Sequence, residues 1–304
     1  MALVSIIVPV CNEQENIRLF YEQLVKSVPL PYELIWVEDG STDHTLLEID
    51  RICQLDQGVK CISLSKNFGH QNAILAGLQQ VKGEVMVIMD GDLQHPPALI
   101  PEMIRLIGEG NDIVHTKRIS TDKIHLFKRL SSSFYYWFLN SIADINIQES
   151  GSDFRAFDKK VLQVILGFQE RDPFLRGIFS WIGFRSTLLE YTATARTHGK
   201  SKYSLGRMFS LGLNGITSFS VKPLRISFFG GLIVSGLSFL FLLYALYAHL
   251  KGATISGWTS LIVSVMFLGG LQLTFIGLIG IYVGQLLVET KKRPNFIIAR
   301  TINC

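Results

Sequence analysis

Two long apolar stretches, Ile226–His249 and Thr259–Val283, constrain this chain more than any other feature. Each reaches the ~20 residues needed to cross a hydrocarbon core of ~30 Å. Between Ile226 and Val288 the only Asp, Glu, Lys or Arg is Lys251. The mean hydropathy of +0.31, high for a wholly soluble protein, is therefore concentrated in one region. Lys222 and Arg225 precede the first stretch, and Lys291, Lys292 and Arg293 follow the second. Basic residues stay on the cytoplasmic side. The expectation is a two-span hairpin in the inner or plasma membrane, with both termini cytoplasmic and the short loop outside. Gly230-Gly231, Gly269-Gly270, Gly277 and Gly280 suit close helix packing in lipid.

The first two-thirds of the 304 residues reads differently. Apolar runs suited to buried parallel strands occur at Leu3–Val8, Leu34–Val37, Val59–Leu64, Val85–Met89 and Ile113–His115. Helical patterns lie between them at Glu15–Ser27, Thr42–Gln54, His70–Gln80 and Ala98–Gly108. This alternation predicts an α/β fold, a mostly parallel, Rossmann-like sheet with helices on both faces and ligands at the carboxyl ends of the strands. The run Ala2–Val10 has no basic segment before it and reads as a strand, not a signal peptide. Leu126–Ile142 has helical spacing, with Lys128 and Arg129 near one end. It fits either a core-facing helix or an interfacial one with aromatic rings at headgroup depth. The expected boundaries are a catalytic domain over 1–204, a juxtamembrane segment over 205–225, the hairpin over 226–288 and a basic cytoplasmic tail over 289–304.

Four cysteines without CxxC spacing read as free thiols. A net charge of +4 is too small to argue for nucleic acid. No GxxxxGK[ST] cradle exists, and no GxGxxG follows a strand.

Asp90-Gly91-Asp92-Leu93-Gln94 follows directly on an apolar strand. Carboxylates in alternate positions there can hold a hard divalent cation that bridges a diphosphate. A calcium loop does not fit, because the sixth position is His95 and the twelfth Pro101. Glu38-Asp39-Gly40-Ser41-Thr42-Asp43 ends an earlier strand and, with Pro9, Asn12 and Glu13, marks a rim where a nucleotide could lie. Gly151-Ser152-Asp153-Phe154-Arg155 and Arg196-Thr197-His198-Gly199-Lys200-Ser201-Lys202-Tyr203 combine basic residues with glycines. That cluster suits a phosphate site, a headgroup patch, or both at once. None of the seven His residues forms an HExxH-type metal pair, and none receives a role.

Taken in order, Val8-Pro9-Val10-Cys11-Asn12-Glu13, Val37-Glu38-Asp39-Gly40-Ser41, Asp90-Gly91-Asp92-Leu93-Gln94 and Arg196-x-x-Gly199-x-Ser201-Lys202-Tyr203 resemble the GT-A glycosyltransferases of family 2. The nearest look-alikes within them are dolichol-phosphate mannose synthases and bactoprenol glucosyltransferases. The resemblance implies that Pro9, Glu13, Asp39, Asp90, Gly91, Arg118, Arg196 and Lys202 contact the nucleotide donor. It implies that Asp92 and Gln94 hold Mg²⁺ or Mn²⁺, and that Asp153 is the catalytic carboxylate. Arg129 and Arg155 are assigned to the acceptor phosphate. Glu38 departs from the family, which usually has Asp there.

The implied reaction moves a hexose, from UDP-glucose or a similar donor, to polyprenyl (undecaprenyl) phosphate with inversion. A phosphate monoester with a second pKa of about 6 is already largely ionised at neutral pH, so Asp153 reads as either a base or an orienting group. The partners are then a nucleotide sugar, a polyprenyl phosphate and the membrane, with a homo-oligomer left open. The rival readings are a processive polysaccharide synthase, whose QxxRW motif is absent, and a non-catalytic nucleotide-sugar binding protein.

Overall fold

The computed structural model describes residues 3–119, 151–171, 173–192, 222–251 and 257–304. Arg129, Arg196, Lys202 and the Leu126–Ile142 segment lie outside the described residues. The chain divides into two units. One holds nearly everything up to Phe209 together with Arg293–Cys304, and the other holds the apolar helices.

The first unit is built on one eight-stranded sheet, in the order β7-β5-β6-β4-β1-β2-β3-β8. Strands β1 (Val4–Val10), β2 (Tyr32–Glu38), β3 (Val59–Leu64) and β4 (Val85–Ile88) run parallel. They alternate with α1 (Ile17–Ser27), α2 (Thr45–Leu55) and α3 (His70–Leu78). Every residue of β1 is buried, which is why these strands read as continuous apolar runs and do not alternate. Phe20 of α1 packs edge-on against Trp36 of β2 at 5.0 Å, fixing helix to sheet through one of the largest buried contacts.

β5 (Ile113–Ile119) and β7 (Ser186–Thr192) extend the sheet in the same direction, and α4 (Ile100–Gly108) leads into β5. Between β5 and β4 runs β6 (Gly151–Asp158), antiparallel to both. Asp158 then caps α5 (Lys159–Gly167) by accepting a bond from the Val161 amide at 3.0 Å. The short helix α6 (Leu175–Trp181) follows.

Chain order reverses across the sheet at β1. Successive units step outward to β2 and β3, and the chain then returns to place β4 on the other side. A crevice forms beyond the carboxyl ends of strands at such a reversal. Here it lies between the residues after β1 and those after β4.

The second unit contains α7 (Lys222–Leu250) and α8 (Trp258–Thr290). At 1.5 Å per residue both exceed ~40 Å. Each carries a window long and apolar enough to cross a membrane, Leu224–Phe241 and Phe267–Thr290, with none of it buried by protein. Residues 289–304, read in sequence as a basic tail, are more than that. Ile298–Ile302 forms β8, which pairs antiparallel with β3 and sets Ile302 opposite Cys61.

Candidate active site

The rim after β1 and β2 is a hydrogen-bonded shelf. Asn12, with φ of 55°, accepts from the Thr42 amide at 2.8 Å, while its own amide donates to Ser41 Oγ at 3.0 Å. The Glu13 amide donates to Thr45 Oγ1 at 2.9 Å. Pro9 is buried within β1. Glu38, where the family usually has Asp, is also buried, and its longer side chain accepts from Ser63 Oγ at 2.7 Å and from the Ser41 amide. Gly40 sits at φ of 63° with its α-carbon against the Lys66–Asn67 backbone, so a side chain has neither the conformation nor the room.

Asp39 accepts the backbone N–H groups of Phe68 at 2.7 Å and Gly69 at 3.0 Å, one on each carboxylate oxygen. Burial raises its carboxyl above its ordinary value despite these two bonds. Asp39 thereby holds the turn that starts α3.

After β4 the chain turns tightly. A β-carbon on Gly91 would stand 2.6 Å from Val10 Cγ1, so only glycine lets this loop close down on β1. Leu93 adopts a left-handed φ of 63° with its side chain buried. The Gln94 amide donates to Asp92 Oδ1 at 3.1 Å, and Arg118 Nη1 donates to Gln94 Oε1 at 3.0 Å. The sequence-predicted set Asp90, Gly91, Asp92, Gln94 and Arg118 is thus gathered at one place. Its oxygen donors fit a hard cation of the Mg²⁺ or Mn²⁺ type. No cluster of three or more His, Cys, Asp or Glu able to hold a metal occurs among the described residues. Asp92 and Gln94 would be the side chains that hold such a cation.

β6 brings the other half of the site. Ile88 of β4 pairs with Arg155 of β6, and His70 stands between Asp90 and Asp153, 2.8 Å from a carboxylate oxygen of the first and 3.9 Å from one of the second. Arg176 of α6 grips Asp153 with a fork, Nε to Oδ1 at 2.8 Å and Nη2 to Oδ2 at 2.8 Å. Arg155 Nη2 adds a third bond at 3.3 Å. Burial by itself would raise the Asp153 carboxyl, but Arg176 and then Arg155 outweigh it and hold the group far below the usual range. Arg155 itself is buried over the Phe179 ring at 4.4 Å, and burial lowers its guanidinium to about 10. Arg155, assigned to the acceptor phosphate from sequence, is thus 4% exposed and lies against Asp153 and the Phe179 ring. Of the two arginines on Asp153, it is Arg176 whose side chain is 36% exposed.

Three functional candidates were not foreseen. Arg176 stands in an unremarkable apolar segment and carries no local signal. His70 opens α3, with Nε2 at 2.8 Å from Asp90 Oδ1 and Nδ1 at 3.9 Å from Asp153 Oδ2. His95 is buried, stacks on Phe154 at 5.1 Å and accepts the Asp90 amide at Nδ1. Its place directly after the acidic motif is the one sequence signal for it. Burial would raise the Asp90 carboxyl, but His70 and His95 bring it below the usual range. Loss of hydration lowers His70, yet the Asp90 bond more than offsets this and raises it overall.

Residues 5–166, more than half of the chain, match the family described as glycosyl transferase family 2. The uncharacterized glycosyltransferase YkcC of Bacillus subtilis (strain 168) is 39% identical over 301 residues, 98% of this chain and 93% of that protein. The bactoprenol glucosyl transferase of Shigella phage SfX is 36% identical over 299 residues, 97% and 98% of the two chains. Among solved structures, the mannosyltransferase PcManGT from Pyrobaculum calidifontis, in complex with GDP-Man and Mn²⁺, matches with a TM-score of 0.52 at 17% identity, covering 96% of this chain and 86% of that one. That likeness bears on fold, and it agrees with the GT-A expectation. An acidic loop at the strand reversal, a forked carboxylate facing it, and identity above one-third along nearly the whole length make one case: the chain belongs to glycosyl transferase family 2 and is a glycosyltransferase of GT-A fold.

Proposed function

We propose that the protein transfers a hexose, glucose by its likeness to the bactoprenol glucosyl transferases, from a nucleoside-diphosphate donor to a polyprenyl phosphate, with inversion at the anomeric carbon. The observation that carries this reading is similarity to a bactoprenol glucosyl transferase over 97% of this chain and 98% of the relative, apolar helices included. A processive synthase sharing only the donor domain would not match along such a length. Family membership also sets aside the non-catalytic binding protein.

In the reaction an acceptor phosphate oxygen bonds to the anomeric carbon as the bond to the diphosphate breaks, and the electron pair leaves with the nucleoside diphosphate. Asp92 and Gln94 would hold a divalent cation, whose charge would offset what develops on that leaving group. The shelf of Pro9, Glu13 and Asp39 carries the nucleotide end, and Asp90, Gly91 and Arg118 border the diphosphate and sugar. Arg196 and Lys202 join the donor side by their family motif. On the acceptor side Arg176 meets the lipid phosphate, joined by Arg129 from sequence, while Asp153 fixes the direction of the Arg176 fork. Asp153 is thus an orienting group and not a base, because the acceptor already carries its charge at neutral pH.

The hairpin reading extends this to the membrane. Basic residues flank α7 and α8 on their outer ends, and β8 returns the chain to the catalytic sheet after α8. Strands of one sheet on each side of the helices fit an even number of crossings with both ends on one side, and the basic flanks favour the cytoplasmic side. The deciding experiment incubates the purified protein with a panel of nucleotide sugars, with and without polyprenyl phosphate, and weighs the lipid product by mass spectrometry. A single added hexose supports the proposal. A polymer, or donor turnover indifferent to the lipid, overturns it.

A further inference from the structure

We propose that His70 is a positioning residue for transfer: it fixes the side chain of Asp90 and spaces that donor-side carboxylate from Asp153 on the acceptor side. The inference rests on the glycosyl-transfer reading of this site.

The geometry forms a relay of fixed directions. Asp39 takes the Phe68 and Gly69 amides, which pins the backbone just ahead of α3. Gly69, at φ of 93°, allows the sharp entry that turns His70 toward β4. Next, the Leu175 amide donates to Gln71 Oε1 at 3.2 Å. That bond settles the orientation of the Gln71 amide, so its Nε2 group faces His70 Nδ1 at 3.4 Å and donates to it. With Nδ1 accepting, the ring proton of neutral His70 lies on Nε2, which donates to Asp90 Oδ1 at 2.8 Å. Protonation of the ring leaves that hydrogen in place. Asp90 is gripped from its other side by His95, whose Nδ1 takes the Asp90 amide and whose Nε2 lies 3.8 Å from Oδ2.

Asp90 is therefore held by imidazoles from two elements, α3 and the loop after β4, and only His70 also reaches toward Asp153. Misplacing a group in such a site by ~1 Å can cost ~100-fold in rate, so a holder of this kind acts on turnover more than on affinity.

The test uses the full-length protein with three substitutions. Glutamine places an amide nitrogen near the position of imidazole Nε2, and asparagine places one near Nδ1. His70→Ala and His70→Asn are expected to lower kcat by about 30- to 100-fold with the donor KM changed less than about threefold, while His70→Gln recovers to within about fivefold of wild type. Rescue by asparagine as good as by glutamine, or a loss lying wholly in KM, overturns the assignment. So does an alanine variant within twofold of wild type. If alanine at this position fails to fold, the glutamine and asparagine pair still decides.

A second readout needs no turnover. In nitrogen-15 spectra of the histidine-labelled protein, Asp90→Asn must shift the His70 Nε2 resonance, and an unmoved resonance overturns the proposal. A wild-type protein that transfers no sugar to any polyprenyl phosphate would count against the function proposed above, and the spectra would then decide on His70 alone.

Discussion

Asp153 and Arg176 meet through two parallel hydrogen bonds of 2.8 Å, a guanidinium fork closed on both oxygens of one carboxylate. They come from different elements, β6 and α6, and the pair joins the acceptor side of the site into one unit. Removing one charge from it leaves Arg176 and the buried Arg155 without their shared counter-charge. Asp153→Asn is therefore expected to cut transfer by about 100-fold or more through misdirection of the fork. Nucleoside-diphosphate binding, measured by calorimetry, should stay within a few-fold. Nucleotide affinity lost along with activity would place Asp153 on the donor side.

Acidity offers an independent check of the same pair. The folded-state Asp153 carboxyl is depressed well below the usual value near 3.9. Its contribution to stability is thus fully present above that value and is lost only as pH falls through the depressed one. Between pH 5 and 8 Asp153 does not titrate, and His70 keeps its Nε2 hydrogen on Asp90 in either ionisation state, so the acid limb of kcat/KM is expected to follow the acceptor phosphate, near pH ~6. Replacing the phosphate acceptor by a phosphonate of different acidity should move the limb with it. A limb that stays in place assigns the proton to the enzyme.

Metal dependence follows from the donor set of the loop after β4. Asp92 and Gln94 offer oxygen to a hard cation but too few ligands to hold one alone. Chelation by excess EDTA should abolish transfer, with Mg²⁺ or Mn²⁺ restoring it. Tightening of nucleoside-diphosphate binding by the ion should disappear in Asp92→Ala. Full turnover in the chelated protein would remove the ion from the reaction.

Topology is open to direct labelling. A reporter fused after Cys304 should behave as cytoplasmic, while single cysteines placed within 252–257 should react with impermeant reagents from outside. Reaction of those cysteines only from the cytoplasmic face would refute the two-span hairpin.

Much of the fold was legible because β1 to β4 are buried on both faces and read as plain apolar runs. The acidic loop was legible because its residues are neighbours in sequence. β6 was not, since Asp153 and Arg155 break its apolar character. What makes those charges tolerable in a buried strand is Arg176, 23 residues further on, and no local pattern shows that pairing. His70 was hidden for a related reason. As the first residue of α3 it looks like an ordinary helix start, and its meaning comes only from Asp90, a neighbour through folding. β8 was masked by the basic residues before it, which drew the reading toward a tail.

Strand β8 also bears on how the molecule is made. Ile302 lies opposite Cys61 with about 240 residues of chain between them, a separation that makes this pairing one of the slowest to close. A ribosome delivers β1 through β7 and both apolar helices before it delivers β8. Until then β3 presents an open row of backbone donors and acceptors, the kind of edge on which other strands assemble. β3 is consequently covered only after the last turn of α8 has been synthesised, and β8 then forms the edge of the sheet. A chain cut short by a dozen residues would carry every residue of the active loop and still leave β3 as the edge of the sheet.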